Sequence, residues 1–109
     1  MPTPLKNKKK IELLFRLGEK KSSEVFDCRC LSSSENDGEI RFVVVAPKKN
    51  FPRAVDRNKI KRRMREIVRR HGDALSGSNF NWFLFIYLEK EMISSKEMEV
   101  GLKALVSSL

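Results

Sequence analysis

The sequence predicts an α+β fold in which helices and strands follow one another as α-β-β-α-β-α and pack as a two-layer sandwich. Three observations predict it. Two stretches, from Ile60 to Val68 and from Met98 to Val106, carry apolar residues at i, i+4, i+7 and i+8, the repeat of a helix with one buried edge. Residues 26–30 alternate apolar and polar, the period of a half-buried strand. Residues 40–46 and 80–88 are short, nearly continuous apolar runs rich in aromatic and branched side chains, as in buried strands.

The chain of 109 residues suits one domain over 1–109, with residues 1–6 expected as a flexible leader because Pro2 and Pro4 oppose regular structure. Asn7 is positioned to cap a helix over 8–17, with Ile11, Leu14 and Phe15 on its apolar face, Leu13 and Leu17 flanking, and Gly18 as its stop. Lys8, Lys9 and Lys10 put positive charge in its first turn, against the helix dipole, which points to an external reason for them. Residues 24–31 form the first strand, with Phe26, Cys28 and Cys30 on one side and Asp27 and Arg29 on the other. Cys28 and Cys30, the only cysteines, are too close along the strand for disulfide geometry and are expected as reduced core thiols. The polar turn Ser32–Gly38 ends in Asp-Gly, a hairpin signal leading to the strand at 40–46, which Pro47 ends.

The loop Lys48–Arg53 leads into a helix for which Asp56 is the expected N-cap and Gly72 the residue past its end. Ile60, Met64, Ile67 and Val68 make its buried edge; Asn58, Lys61, Arg62, Arg65 and Arg69 fall on a neighbouring stripe, with Lys59, Arg63 and Arg70 on the far side. A loop at 76–79 precedes the strand 80–88, in which Trp82 reads as a core or face residue. Ser94-x-x-Glu97 is a capping box and Ile93 with Met98 a hydrophobic staple, so the last helix starts there and lids the sheet through Met98, Leu102, Leu105, Val106 and Leu109. Its outer face mixes Lys96, Glu97, Glu99 and Lys103, so its charges largely offset one another.

Composition narrows the function. Hydrophobic residues are 40% and charged residues 34%, a globular balance. No apolar run reaches the roughly 18 residues of a membrane span, and no apolar signal core follows the N-terminus, so a cytoplasmic protein is expected. Residues 48–70 hold eleven Lys and Arg against Asp56 and Glu66, so the whole net charge of +9 sits in that segment and the rest of the chain balances. Such a helix attracts a polyanion, and the planar fork of Arg holds a phosphate with two bonds. Protein-based nuclease chemistry is missing. His71 is the single histidine and reads with Asp73 as a helix-end residue; acids are scattered, and no phosphate-cradling glycine loop or nucleophile motif occurs. No catalytic and no metal-ligating residue is therefore assigned. A helix-turn-helix bound to DNA is disfavoured, because a strand and not a second helix precedes the basic helix.

The run Arg57-Asn58-Lys59-Ile60-Lys61-Arg62-Arg63-Met64-Arg65-Glu66 closely resembles the Arg-Asn-x-x-Lys-Arg-x-x-Arg signature of the bacterial ribonuclease P protein component. Phe15-Arg16-Leu17-Gly18 is similar to the end of that family's first helix, and the resemblance covers roughly residues 5–108. It implies a mixed sheet like that of ribosomal protein S5 domain 2, with a left-handed β-α-β crossover carrying the basic helix. It implies the protein subunit of a ribonucleoprotein endonuclease that removes the 5′ leader of precursor tRNA. It further implies that a catalytic RNA subunit does the chemistry with Mg²⁺ held mainly by that RNA, and that the RNA subunit and precursor tRNA are the partners. Carried onto this chain, Arg57, Asn58, Lys61, Arg62 and Arg65, supported by Lys48 and Lys49, are the RNA-contacting residues, and Phe15 with Ile11 lines the leader cleft. The chain departs from the family pattern at Ile11, where a second aromatic is usual, at Val43, at Pro47, and at Glu89, where an arginine is common. The competing reading is a structural RNA-binding protein of ribosomal type with no processing role.

Overall fold

The computed structural model describes residues 2–32 and 39–109. Five strands, β1 (Thr3–Pro4), β2 (Glu19–Ser22), β3 (Phe26–Leu31), β4 (Arg41–Val45) and β5 (Trp82–Tyr87), form one mixed sheet in the order β1-β4-β5-β3-β2. Four helices, α1 (Lys8–Leu17), α2 (Ala54–Arg70), α3 (Gly72–Ser76) and α4 (Ser95–Val106), complete the α+β fold. The strand with the most continuous apolar sequence, β5, takes the centre, where both its faces are covered.

Period two splits β5 between two cores. Phe83, Phe85 and Tyr87 point to one face, where they join Phe42, Val44, Cys28 and Cys30 beneath α2 and α4. Trp82 and Leu84 point to the other, where they meet Leu5 and, from α1, Leu14. The helices therefore cover both sides of the sheet, the larger pair on one side and α1 alone on the other. Tyr87 is fully buried; its hydroxyl donates to the Glu91 carbonyl at 2.5 Å and accepts from the Ile93 amide at 3.1 Å, fixing the loop that leads to α4.

Several expectations need correction. The hairpin between the strands at 24–31 and 40–46 does not form: β5 lies between them, antiparallel to β3 and parallel to β4. Residues 33–38 of the expected turn lie outside the described residues. The Asp-Gly signal is outweighed because parallel pairing of β4 with β5, across the crossover through α2 and α3, buries two strongly apolar strands side by side. The expected flexible leader instead supplies β1, which pairs parallel with β4 through Thr3 and Arg41, while Leu5 is buried. Pro4 fits there because β1 is an edge strand, where an absent N–H donor is harmless.

Strand β2 is unexpected. Its sequence, Glu-Lys-Lys-Ser, is too polar to signal a strand, yet it pairs antiparallel with β3 and closes the far edge with charge. Gly18 ends α1 as expected but for another reason. Its φ of −66° is open to any residue. A Cβ there would lie 2.3 Å from the Leu14 carbonyl oxygen and 3.1 Å from the Arg29 Cβ, so it is the tight packing of helix end on strand that requires glycine.

Candidate nucleic-acid interface

The orientation of α2 follows from its buried edge. Ile60, Met64, Ile67 and Val68 are all buried, as their spacing predicts, and α2 packs on both β4 and α4. That fixes the rotation of the helix and turns Asn58, Lys61, Arg62, Arg65 and Arg69 together along the adjoining stripe. Asn58, Arg62 and Arg69 are exposed, while Lys61 and Arg65 are half-buried, their stems lying along the surface with the charged ends free to reach water. The start of the helix differs from expectation. Arg53 occupies the N-cap position without a side-chain bond, and Asp56 stands inside the first turn, where its charge still favours the positive helix end.

Arg57 is used partly inside the protein. Its Nη1 donates to the carbonyls of Phe51 at 2.9 Å and Pro52 at 2.8 Å, which clips the preceding loop to the helix. Phe51 is itself buried, its ring 5.8 Å from that of Tyr87. The amides of Asn50 and Phe51 both bond the Pro47 carbonyl, and this turn leaves Lys48 and Lys49 exposed just ahead of the basic stripe. Arg63, on the far side, donates to the Ile93 carbonyl at 3.0 Å and ties α2 to the approach of α4.

Ion pairing decides how much of this charge is available. Of the eleven Lys and Arg in 48–70, only Arg70 forms an ion pair among the described residues, with Glu99 at 3.4 Å. Asn58, Lys61, Arg62, Arg65, Lys48 and Lys49 make no side-chain hydrogen bond or ion pair among the described residues. Arg69 leans over the Phe42 ring at 6.0 Å from its centroid. The described part of the chain thus holds a run of uncompensated cations on a rigid helix.

The second set of predicted residues lies on the other side of the sheet. Leu14 anchors α1 with no exposed surface, and Ile11 packs half-buried against the same cluster. Phe15 is 46% exposed and so is not a core anchor; its ring is available for stacking. Strand alternation puts Arg29 and Arg41 on this face too, beside the half-buried Val43, Val45 and Ile86. Those two arginines went unassigned in the sequence because the polar half of an alternating strand reads as ordinary solvent face. Trp82 is buried on this face with the Lys10 ammonium 5.3 Å above its ring, a contact that accounts for one of the first-turn lysines of α1.

The titratable groups offer little catalytic chemistry. His71 ends α2, its amide bonding the Ile67 and Val68 carbonyls, and its side chain turns to Glu99 rather than to Asp73. The 2.9 Å contact requires the imidazole to donate, since an ionised carboxylate only accepts. That hydrogen bond, helped by the Arg70 charge, holds the Glu99 carboxyl below its ordinary value. Cys28 and Cys30 are unbridged and buried; the hydrogen bond with Cys30 and burial push the Cys28 thiol well above its ordinary value, as suits an inert core thiol. Among the described residues no three His, Cys, Asp or Glu side chains gather into a metal-holding group, and no described helix is long and apolar enough to cross a membrane.

Comparison with known proteins agrees with this arrangement. The ribonuclease P protein of Staphylococcus aureus superimposes with a TM-score of 0.80 at 21% identity, covering 96% of this chain and 93% of that one. The ribonuclease P protein of Thermotoga maritima gives a TM-score of 0.81 at 22% identity, covering 97% and 96%. At such identities the likeness is one of fold. A search of curated proteins finds no significant match. The family model for Ribonuclease P, by contrast, matches residues 2–109. With nearly the whole sequence matched, and its signature helix displayed as described, the chain belongs to the ribonuclease P family and is its protein subunit.

Proposed function

We propose that the chain docks on the catalytic RNA subunit through the α2 stripe and the Lys48–Lys49 turn, and receives the 5′ leader of precursor tRNA along the α1 face, where Phe15 stacks on a base. The observation that supports this most is the set of free cations on α2: Lys61, Arg62 and Arg65, with the neutral amide of Asn58 beside them, have no internal side-chain partner among the described residues. Two polyanions approach each other only if cations offset their repulsion, and a helix whose rotation is fixed by four buried side chains presents those cations without further ordering. Arg57, held by two loop carbonyls, presents its remaining N–H donors at the start of the stripe.

The protein's share of the reaction is positioning. Mg²⁺ bound to RNA phosphates supplies the metal chemistry when present, and the cations of this chain favour the compact RNA arrangement that holds it. Cleavage of the leader is carried by the RNA, with the protein acting in the cytoplasm on RNA and not on DNA or a membrane.

Reconstitution tests this reading. Mixed with a bacterial ribonuclease P RNA at low Mg²⁺, the full chain restores leader cleavage of a precursor tRNA. A chain that binds this RNA but leaves cleavage at the RNA-alone level is a structural RNA-binding protein, and the processing role is then lost.

A further inference from the structure

One surface runs against the charge of the molecule. Between the turn joining β2 to β3, the loop after β5 and the outer side of α4 lies a groove of about 640 Å³, within the roughly 300–1,000 Å³ of clefts that hold ligands. Its apolar wall is Val25, Ile93, Val100 and Ala104, with Val100 61% exposed. Its carboxylates are Glu24, Glu89 and Glu97, against the single cation Lys96. The groove is held open by tight packing below it: a Cβ on Gly101 would lie 2.7 Å from the Val25 Cβ, so α4 sits directly on the turn.

None of these residues belongs to the basic segment 48–70. A local excess of carboxylate repels phosphate, so the groove is not a further RNA contact. At physiological salt, charges beyond about 8 Å are largely screened, so a ligand here responds to the three glutamates and not to the distant +9. We infer that this groove docks a lysine- or arginine-rich segment of a partner protein, with one apolar side chain seated against Val25 and Val100 and flanking cations on Glu24, Glu89 and Glu97. The surface is separate from the cationic stripe and from the α1 face, so it stays accessible while RNA is bound and offers ribonuclease P a protein contact.

The probe is a fluorescein-labelled Lys-Leu-Lys-Leu-Lys peptide, titrated against the full chain at physiological salt and followed by anisotropy. Replacing both leucines by serine weakens binding by about tenfold or more, because the buried apolar contact is lost. The triple variant E24Q/E89Q/E97Q weakens the leucine peptide by about tenfold and removes most of its salt dependence. Val100→Lys, at an exposed position that does not disturb the fold, blocks the groove and abolishes binding while leader cleavage by the reconstituted enzyme is unchanged. Equal affinity for the leucine and serine peptides, or equal affinity of wild type and both variants, overturns the inference. So does spermidine competing as well as the peptide, which would make the groove a polyamine site. Concentration-dependent self-association abolished by Val100→Lys, with no peptide binding, would assign the groove to a second copy of the chain instead.

Discussion

Helices α2 and α4 are near-equivalent on the inside and opposite on the outside. Both lie on the same sheet face and pack on each other, with a methionine followed by large apolar residues at helical spacing: Met64, Ile67 and Val68 in α2, Met98, Leu102 and Leu105 in α4. The local devices differ. Ser94 caps α4, accepting from the Glu97 amide at 3.2 Å, whereas α2 starts at Arg53 with no side-chain cap. Outside, α4 mixes Lys96, Glu97, Glu99 and Lys103, while α2 offers cation after cation. The uncapped, self-repelling helix is the one whose surface is proposed to meet RNA, and it stays helical because its inner edge is buried as thoroughly as that of its neighbour. The buried edge and the proposed RNA-contacting edge thus lie on different sides of one helix and should be separable by mutation.

The largest effect is expected on the shared inner edge. Met64→Ala and Met98→Ala each remove a fully buried side chain and lower stability by about 2–5 kcal/mol, measured by denaturant unfolding. The two losses should be similar although, of the two helices, α2 alone carries the proposed RNA-contacting stripe. If Met64→Ala leaves stability intact, the buried edge assigned to α2 is wrong and its cationic stripe is no longer fixed in rotation.

The outer edge should behave in reverse. Arg62→Ala with Arg65→Ala lowers stability far less than either methionine change, by at most about 1 kcal/mol, because neither guanidinium has a partner among the described residues and only the half-buried stem of Arg65 loses packing. RNA affinity falls, and the slope of log affinity against log salt flattens by about 0.7 for each phosphate contact removed. The matched charge removals on α4, Lys96→Ala with Lys103→Ala, leave both the affinity and the slope unchanged. Equal losses from the two helices would mean that net charge, and not its arrangement on α2, governs binding.

How much of this was legible in the sequence depended on whether the signal was local. The bounds of α1, its Asn7 cap and the buried edge of α2 rest on spacings within a few residues and appear as read. Helix α4 buries Met98, Leu102 and Leu105 as read, but Val106 is only half-buried and Leu109 lies past the helix. Of the capping box, the bond from the Glu97 amide to Ser94 forms, while the Glu97 carboxylate accepts from the Ser94 hydroxyl. The separation of β3 from β4 depends on where residue 82 and its neighbours insert, which no local turn signal encodes. Strands β1 and β2 are held by their partners and not by their own composition, so Thr3–Pro4 and Glu19–Ser22 carried no strand pattern to find. At the candidate site, the identity and spacing of Asn58, Lys61, Arg62 and Arg65 were readable from the repeat. The use of Arg57 on the carbonyls of the loop just before the helix, and of Arg63 on the distant Ile93 carbonyl, was not, because each depends on how a loop folds back against the helix.

The smallest effect lies where the two helices are tied together. Glu99 on α4 accepts from His71 at 2.9 Å and pairs with Arg70 at 3.4 Å, so the end of the basic helix is latched to its neighbour by one carboxylate. Its folded-state value is depressed from an ordinary 4.5, so the charged form is favoured by folding. A depressed carboxyl stabilises the fold above its unfolded value and loses that contribution as pH falls through the folded one. Unfolding of wild type and Glu99→Gln, followed from neutral pH downward, should therefore show wild type more stable at neutral pH and the two curves converging below about pH 4. The Gln side chain keeps a hydrogen-bonding oxygen for His71, so what the substitution removes is the charge. RNA binding should be almost unchanged, because Arg70 lies on the far side from the Asn58–Arg65 stripe; a large gain in affinity for Glu99→Gln would instead mean that this carboxylate restrains a cation the RNA uses.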